Sequence, residues 1–429
     1  MTETSGRYDR RNFTLNGIEG GLFVAGSSLM SAQTVLPALI TRLGGNNIAV
    51  GALSVIIYVG LLLPQIFAAR YTQTLPWKKP WAVRFGTAQR VVVLCIAIVT
   101  FLLGATHATL ALLFFFILFT LNQIFMGIAT PGWFDMYAKL TPLRLRGRLT
   151  GVRNSVAGVG SLFGGAILTW LLAEFTFPSN YSFAIGGAFI VQFISIIIQS
   201  RLVEELPSNT LPQSSMREYF HQLRVILRSN TGFRTFLSSM IFLIPATMPL
   251  GFFTVYALKH FSAGEELIGE FTLIIVAGQV IGGMGIGYLA DHTGNKRALI
   301  SASVAMFVAN LVAVFAPTLA LFKIVFFFVG INLGSDLMTR YNLAIEFGPP
   351  EQRSTYIGLM NTVLAPLYLT GFLGGWISDL FGYPMLFIIS GFFSIAGILF
   401  LILRVKEPRG ESAHSIENER ISAGIQKKQ

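Results

Sequence analysis

Twelve long apolar stretches, divided by short polar ones, leave this chain few ways to fold. They run from about Asn16 to Leu39, Asn47 to Ala69, Val91 to Ala105, Thr109 to Tyr137, Gly151 to Ala173 and Phe183 to Ser200. The second set runs from about Thr235 to Ala257, Ile268 to Ala290, Ala298 to Ala316, Leu319 to Ile345, Tyr356 to Asp379 and Met385 to Leu403. A hydrocarbon layer about 30 Å thick takes roughly 20 apolar helical residues to cross. In lipid every backbone N–H and C=O must be bonded within the chain, so such stretches are expected to be helices. Only 12% of the residues are charged, against about 25% in an ordinary soluble domain. The 38 Phe are too many for one soluble core of this length. The expected class is an all-α membrane protein with twelve transmembrane helices.

Charge placement tests that count. With the N-terminus inside, odd connections face outward, and they hold only Arg42 and Lys259, with Lys323 near an outer helix end. Arg340 falls within a stretch, and the rest of the 31 Lys and Arg are assigned to the inner face. Cytoplasmic loops carry such an excess of cations. The net charge of +11 is therefore read as topology and attraction to anionic lipid, not as nucleic-acid binding. Both termini are expected in the cytoplasm, with the chain in the plasma (inner) membrane. The first stretch is too long for a signal peptide and lacks a small-residue cleavage site, so it is expected to remain as a span.

An internal repeat divides the chain. Pro142, Arg146, Gly151 and Asn154 recur 207 residues later as Pro349, Arg353, Gly358 and Asn361. Small-residue clusters follow both, Gly160, Gly164 and Gly165 in one and Gly371, Gly374 and Gly375 in the other. The expected plan is a tail at 1–12, a six-helix bundle at 13–200, a linker at 201–234, a second bundle at 235–404 and a tail at 405–429. In the linker Met216, Phe220, Leu223 and Leu227 share one helical face and Arg217, Arg224 and Arg228 an adjacent one. That pattern suits a helix on the inner leaflet, or a flexible tether with incidental helicity.

Between the eighth and ninth stretches lies Gly287-Tyr288-Leu289-Ala290-Asp291-His292-Thr293-Gly294-Asn295-Lys296-Arg297. A Gly ends helix packing, an Asp follows, and a Gly turn carries Lys296 and Arg297 to the surface. This loop resembles the hallmark inter-helix loop of the major facilitator superfamily. The resemblance implies two pseudo-symmetric six-helix bundles that rock about a central site lined by helices one, four, seven and ten. It also implies that Asp291 meets the start of the eleventh helix, near Arg353 to Gly358, when the inner gate shuts. Asp291 can oppose a helix dipole there, or it can fix loop shape alone. The corresponding loop of the first half, Arg70 to Trp81, keeps its cations but lacks the Asp and the central Gly. Asp135 is expected to pair with Arg146 or Arg148 in its place, as a latch or as a surface ion pair of little worth.

Ionisable groups within spans are costly and mark function. Asp336 and Arg340 stand i, i+4 on the tenth stretch, with Asn332 one turn away on the same face. Asp336 is a candidate for a proton or a cationic substrate and Arg340 for an anion; a permanent internal ion pair is the alternative. Glu19 lies about one turn inside the inner end of the first stretch, among glycines. There it can couple protons or face solvent. Gln33, Asn122, Gln123 and Tyr256 are candidates for uncharged hydrogen bonds to substrate, or to neighbouring helices.

The sequence holds no phosphate-cradling G-x-x-x-x-G-K-[ST] loop, so energy is expected from an ion or solute gradient. One Cys, Cys95, excludes disulfides within the chain, and no metal, cofactor or enzymatic constellation is expected. The expected function is secondary transport of a small organic solute by a monomer, coupled to protons. Gly160-Ser161-Leu162-Phe163-Gly164-Gly165 resembles the G-P-x-x-G-G stretch of exporters in the superfamily, with Ser161 in place of its Pro. Export is therefore favoured. Uptake by symport, facilitated diffusion, and a non-transporting sensor or assembly protein are the alternatives.

Overall fold

The computed structural model describes residues 3–208, 216–349 and 352–408. The first half holds α1 (Glu3–Ser28), α2 (Val35–Arg42), α3 (Asn47–Thr72), α4 (Lys79–Leu103), α5 (Ala108–Leu140), α6 (Arg146–Glu174) and α7 (Ser179–Ser200). A linking helix α8 (Met216–Ser229) follows. The second half holds α9 (Thr231–Leu243), α10 (Phe252–His260), α11 (Leu267–Thr293), α12 (Asn295–Phe315), α13 (Leu319–Glu346), α14 (Arg353–Leu364), α15 (Thr370–Phe381) and α16 (Tyr383–Arg404).

Among the described residues, eleven helical segments are long and apolar enough to cross a membrane. Large side chains such as Phe163, Met284 and Leu403, the last 75% exposed, face outward along them. On a water-soluble protein so broad an apolar surface would drive association. The twelfth expected span is the first, which polar residues and a break divide. Its helix is interrupted between Ser28 and Val35 and resumes as α2.

The expected seventh and eleventh spans are also interrupted. Pro245 and Pro249 lie in a 3-10 segment, Pro245–Gly251, between α9 and α10. Pro366 lies in another, Ala365–Leu369, between α14 and α15. A proline has no N–H to give the preceding turn, so the path tightens at two places in the second half.

The halves meet through small residues. α3 packs on α15 and α6 on α11. A Cβ at Gly51 or Gly371 would run into the other glycine's carbonyl. At Gly165 it would meet Leu273. Each repeated glycine cluster thus contributes to the seam between halves, through Gly165 in one and Gly371 and Gly375 in the other, while Gly160 and Gly164 pack on α1. The linking helix α8 buries Leu223 and Ile226 against the second half and leaves Arg217, Arg224 and Arg228 exposed. The side chains of Met216 and Phe220 lie outside the described residues.

Candidate functional site

The α3–α4, α5–α6 and α11–α12 connections carry Lys78, Arg146 and Lys296 at one end of the bundle, the basic end. At the opposite end the halves are tied together. Arg42 pairs with Glu265 at 3.6 Å. Asn47 donates to Asp379 at 2.8 Å and accepts from the Tyr383 hydroxyl at 2.7 Å. About two turns deeper the Thr34 and Thr272 hydroxyls share a hydrogen bond of 2.6 Å. Thr254 donates to the Gln33 carbonyl at 2.9 Å, which is free to accept because α1 has broken there.

Beneath these ties lies a cavity of about 330 Å³ between the halves. Gln33, Asn122 and Gln123 line it, with Tyr58, Gln89, Ser161 and Gln192. Asn122 donates to the Gln89 carbonyl at 3.1 Å, and Gln123 to the Asn122 side chain at 3.3 Å. Tyr256 lies elsewhere. Its ring stacks on His260 at 4.7 Å and packs among Phe322, Tyr383 and Phe387. Its place is the aromatic core of the second half, not the cavity wall.

A second cavity of about 230 Å³ adjoins the first; Phe23, Gln89 and Met126 line both. It lies within the first half and holds Glu19, Arg90 and Arg153. Glu19 is 3% exposed and roughly four helical turns into α1, much deeper than the expected one turn. The reason is that α1 begins at Glu3, ahead of its apolar stretch. Arg153 reaches Glu19 at 3.2 Å, bonds the Asn16 side chain and lies over the Trp133 ring at 4.8 Å. Gly20 makes room, since a Cβ there would fall on the guanidinium. Ser195 donates to the other Glu19 oxygen at 3.4 Å.

By sequence, Arg90 and Arg153 count among the inner-face cations. Arg90 is only 6% exposed and Arg153 sits among helices α1, α5 and α6. The apolar stretch starts at Val91, but α4 starts at Lys79, so Arg90 lies three turns inside it. The overlooked signal was the aromatic run Trp81 and Phe85 ahead of Arg90, on a helix longer than its apolar window.

In the second half Asp336 and Arg340 form the i, i+4 ion pair, and Arg340 is 7% exposed. Arg340 also donates to the Tyr368 hydroxyl at 3.1 Å. Asn332 donates to the Ala302 carbonyl at 2.9 Å, joining α13 to α12. These groups line a pocket of about 30 Å³, room for a water but not a solute.

At the basic end the expected contacts change. Asp135 stands 3.9 Å from Lys78 rather than beside Arg146 or Arg148. Arg146 turns back to bond the Thr141 and Ala138 carbonyls at 3.2 and 2.7 Å, covering the last turn of α5. Burial pushes the Lys78 ammonium down, against the pull of Asp135 and Glu204. Gly287 is not a packing stop. α11 continues through it, and a Cβ there would meet nothing. Gly294 is the turn, with φ +96°, where only glycine is unstrained. Asp291 is exposed in the last turn of α11, and Arg297 is exposed at the start of α12. Arg353 begins α14, and its side chain lies outside the described residues.

One device was not foreseen. Glu204, after α7, accepts from the Lys78 and Lys79 backbone N–H groups at 3.1 and 3.0 Å, at the start of α4. Glu407, after α16, accepts from the Lys296 N–H at 3.1 Å, at the start of α12. Lys79 Nζ bonds the Leu202 carbonyl and Lys296 Nζ the Ile402 carbonyl, at 2.8 and 3.2 Å. A carboxylate at a helix N-terminus opposes the positive end of its dipole. Each half thus fastens the start of its third span to the end of its sixth. The sequence clue was a Val, a Glu and a Pro just past each bundle, in Val203-Glu204-Glu205-Leu206-Pro207 and Val405-Lys406-Glu407-Pro408.

Two pseudo-symmetric helical halves with a polar cavity at their seam define a multi-pass membrane protein. The Major Facilitator Superfamily family model matches residues 18–365 and 235–428, and the chain belongs to that family. An uncharacterised transporter of this type from Mycobacterium tuberculosis is 29% identical over 139 residues, 32% of this chain and 19% of that protein. The 4-hydroxybenzoate transporter PcaK of Pseudomonas aeruginosa is 23% identical over 165 residues, 38% of this chain and 36% of that protein. The match therefore spans well under half the length of either relative. Among solved structures, a D-xylose-proton symporter superposes with TM-score 0.68 at 16% identity, covering 94% of this chain and 99% of its own. A mutant of the nucleoside transporter NupG gives 0.70 at 11% identity, covering 93% and 100%. At such identities the likeness speaks for the fold alone.

Proposed function

We propose that this chain is a secondary active transporter that moves a small organic solute by alternating access, coupled to protons. The observation that carries the reading is the polar cavity at the seam, closed at one end by bonds between the halves. Those bonds are few and involve side chains at helix ends, so rocking of one half can break them together. The basic end faces the cytoplasm of a plasma-membrane protein with both termini inside, in keeping with the cation excess of its loops. The bonded end then faces outward.

Asp336 carries the coupled proton. It is the carboxylate whose ion-pair partner, Arg340, touches a tyrosine at the seam. The glycine-rich stretch of α6 favours export; Ser161, in that stretch, faces the central cavity. The curated relatives named for a substrate carry a small aromatic acid, a solute of suitable size for the cavity.

The test uses the full chain in liposomes with a trapped pH-sensitive dye, challenged with amines, sugars, organic acids and amphiphilic drugs. Proton movement driven by one solute class is expected. Its sign relative to the solute separates export by exchange from uptake by symport. Solute exchange without proton movement would replace coupling by facilitated diffusion. No exchange of any solute, with folded protein, would leave a sensing or assembly role.

A further inference from the structure

Resting on the transporter reading, we infer that the side cavity of the first half binds a compact organic monoanion with a flat apolar body, and that Arg90 holds its charge. The argument is one of charge balance. Asp336 and Arg340 in the second half neutralise each other. The first-half cavity brings together two guanidiniums, Arg90 and Arg153, and one carboxylate, Glu19. Glu19 is bonded to Arg153 at 3.2 Å and also acts on Arg90 through space, so the three groups together leave one positive charge unbalanced.

Arg153 is well supplied, with Asn16, Glu19 and the Trp133 ring around it. Arg90 is not. Its described hydrogen bonds go to two backbone carbonyls, Gly86 at 3.0 Å and Gln192 at 3.2 Å. Carbonyl dipoles hold a guanidinium in place without cancelling its charge. A buried charge is tolerated when an opposite charge meets it. The missing anion is assigned to the ligand, because a cavity of about 230 Å³ opens beside Arg90.

The walls describe the rest of the ligand. Phe23 lies under the Arg90 guanidinium at 4.7 Å, and Trp133 lines the same space. A carboxylate meets a guanidinium in one plane through paired hydrogen bonds. A flat body continuing from that carboxylate would meet the apolar lining of Phe23, Met126 and Trp133. A cation is refused by the excess positive charge, and a second negative charge would have no partner.

The experiment uses detergent-purified full-length protein with benzoate as probe, benzamide as its neutral counterpart and benzylamine as its cationic one. Benzoate should raise the unfolding temperature in a saturable way, and the other two should not. Arg90→Gln should weaken benzoate at least tenfold, whereas Arg90→Lys should retain much of it. Ala129→Phe, which fills the cavity without touching a charge, should abolish the shift and decides the matter if Arg90→Gln does not fold. Equal stabilisation by benzamide or benzylamine, no benzoate effect, or an unchanged effect in Ala129→Phe would overturn the assignment. Liposome flux separates the two readings. Benzoate binding without flux of any solute sinks the transporter reading and keeps the site. Flux of an amine or sugar without benzoate binding does the reverse.

Discussion

The rings of Tyr58 and Tyr368, one from each half, stack with centroids 3.7 Å apart and planes 12° from parallel. The Tyr368 hydroxyl accepts from Arg340, which is bound to Asp336. The buried ion pair of the second half is therefore one hydrogen bond from the seam. A proton arriving at Asp336 would free Arg340 to shift, and the first group it would move is a ring packed on the opposite half. That chain of contacts links the proposed proton site to the seam between the halves.

Tyr368→Phe should keep the stack and remove the acceptor. The aromatic pair contributes about 0.5–1.5 kcal/mol beyond burial, and a hydrogen bond to a charged group about 1.5–3 kcal/mol. Thermal unfolding should therefore show a loss of about 2 kcal/mol from the Arg340 bond, with the fold retained. In liposomes solute exchange should persist while its response to a pH gradient shrinks. An unchanged response would exclude this hydroxyl from coupling.

Asp336→Asn leaves Arg340 buried without its carboxylate, a change that costs about 3–5 kcal/mol when a buried pair is broken. Asp336→Asn with Arg340→Gln should recover most of that stability, since no charge remains. Neither protein should move protons with solute. A double variant that is stable and still couples would place the proton elsewhere, with Glu19 the next carboxylate to test.

Glu204 is nearly buried and holds three donors, the Lys78 and Lys79 N–H groups and Lys139 Nζ at 2.8 Å. Glu204→Ala strips the start of α4 of its acceptor and leaves Lys139 without its carboxylate. The expected loss is about 2–4 kcal/mol, from charge-assisted bonds of about 1.5–3 kcal/mol each and partial relief by solvent. Glu204→Gln should lose less, because its oxygen still accepts. Equal losses for the two would show that the charge, rather than shape or a neutral acceptor, is what matters at this joint.

The helices were legible in the sequence because lipid imposes one rule on every residue of a span, and apolar runs report it directly. The repeat at Arg146 and Arg353 was legible for the same reason: both residues begin a helix in equivalent places. The buried charges were not. Arg90 read as a basic-end residue because an apolar window stops at the first cation, whereas a helix does not; Arg153, just inside the stretch that starts at Gly151, was counted with the inner-face cations. Pairing was also hidden. Glu19 with Arg153 and Asp135 with Lys78 depend on how helices rotate against each other, and a uniformly apolar surface does not encode rotation. Asp336 with Arg340 was visible because both partners sit on one helix, four residues apart.

Gly51 and Gly371 offer a way to shift the seam without touching a charge. Their backbones approach so closely that a Cβ on either would run into the other's carbonyl. The contact lies beside Asn47, Asp379 and Tyr383, which tie the same end. Gly371→Val should therefore force α15 away from α3 and weaken the end opposite the basic one. Since α3 and α15 are packed backbone to backbone in this closed arrangement, the population should move toward a state open at that end. Gln33→Cys in a Cys95→Ser background reports it, because Gln33 lines the cavity just beneath the ties. A membrane-impermeant maleimide added outside should label Gln33→Cys several-fold faster when Gly371→Val is present. Gly371→Ala should give a smaller increase, its methyl being the least that can intrude. Unchanged labelling with a folded protein would mean that the glycine contact is not what holds this end shut, and that the Arg42–Glu265 and Asn47–Asp379 bonds carry the closure alone.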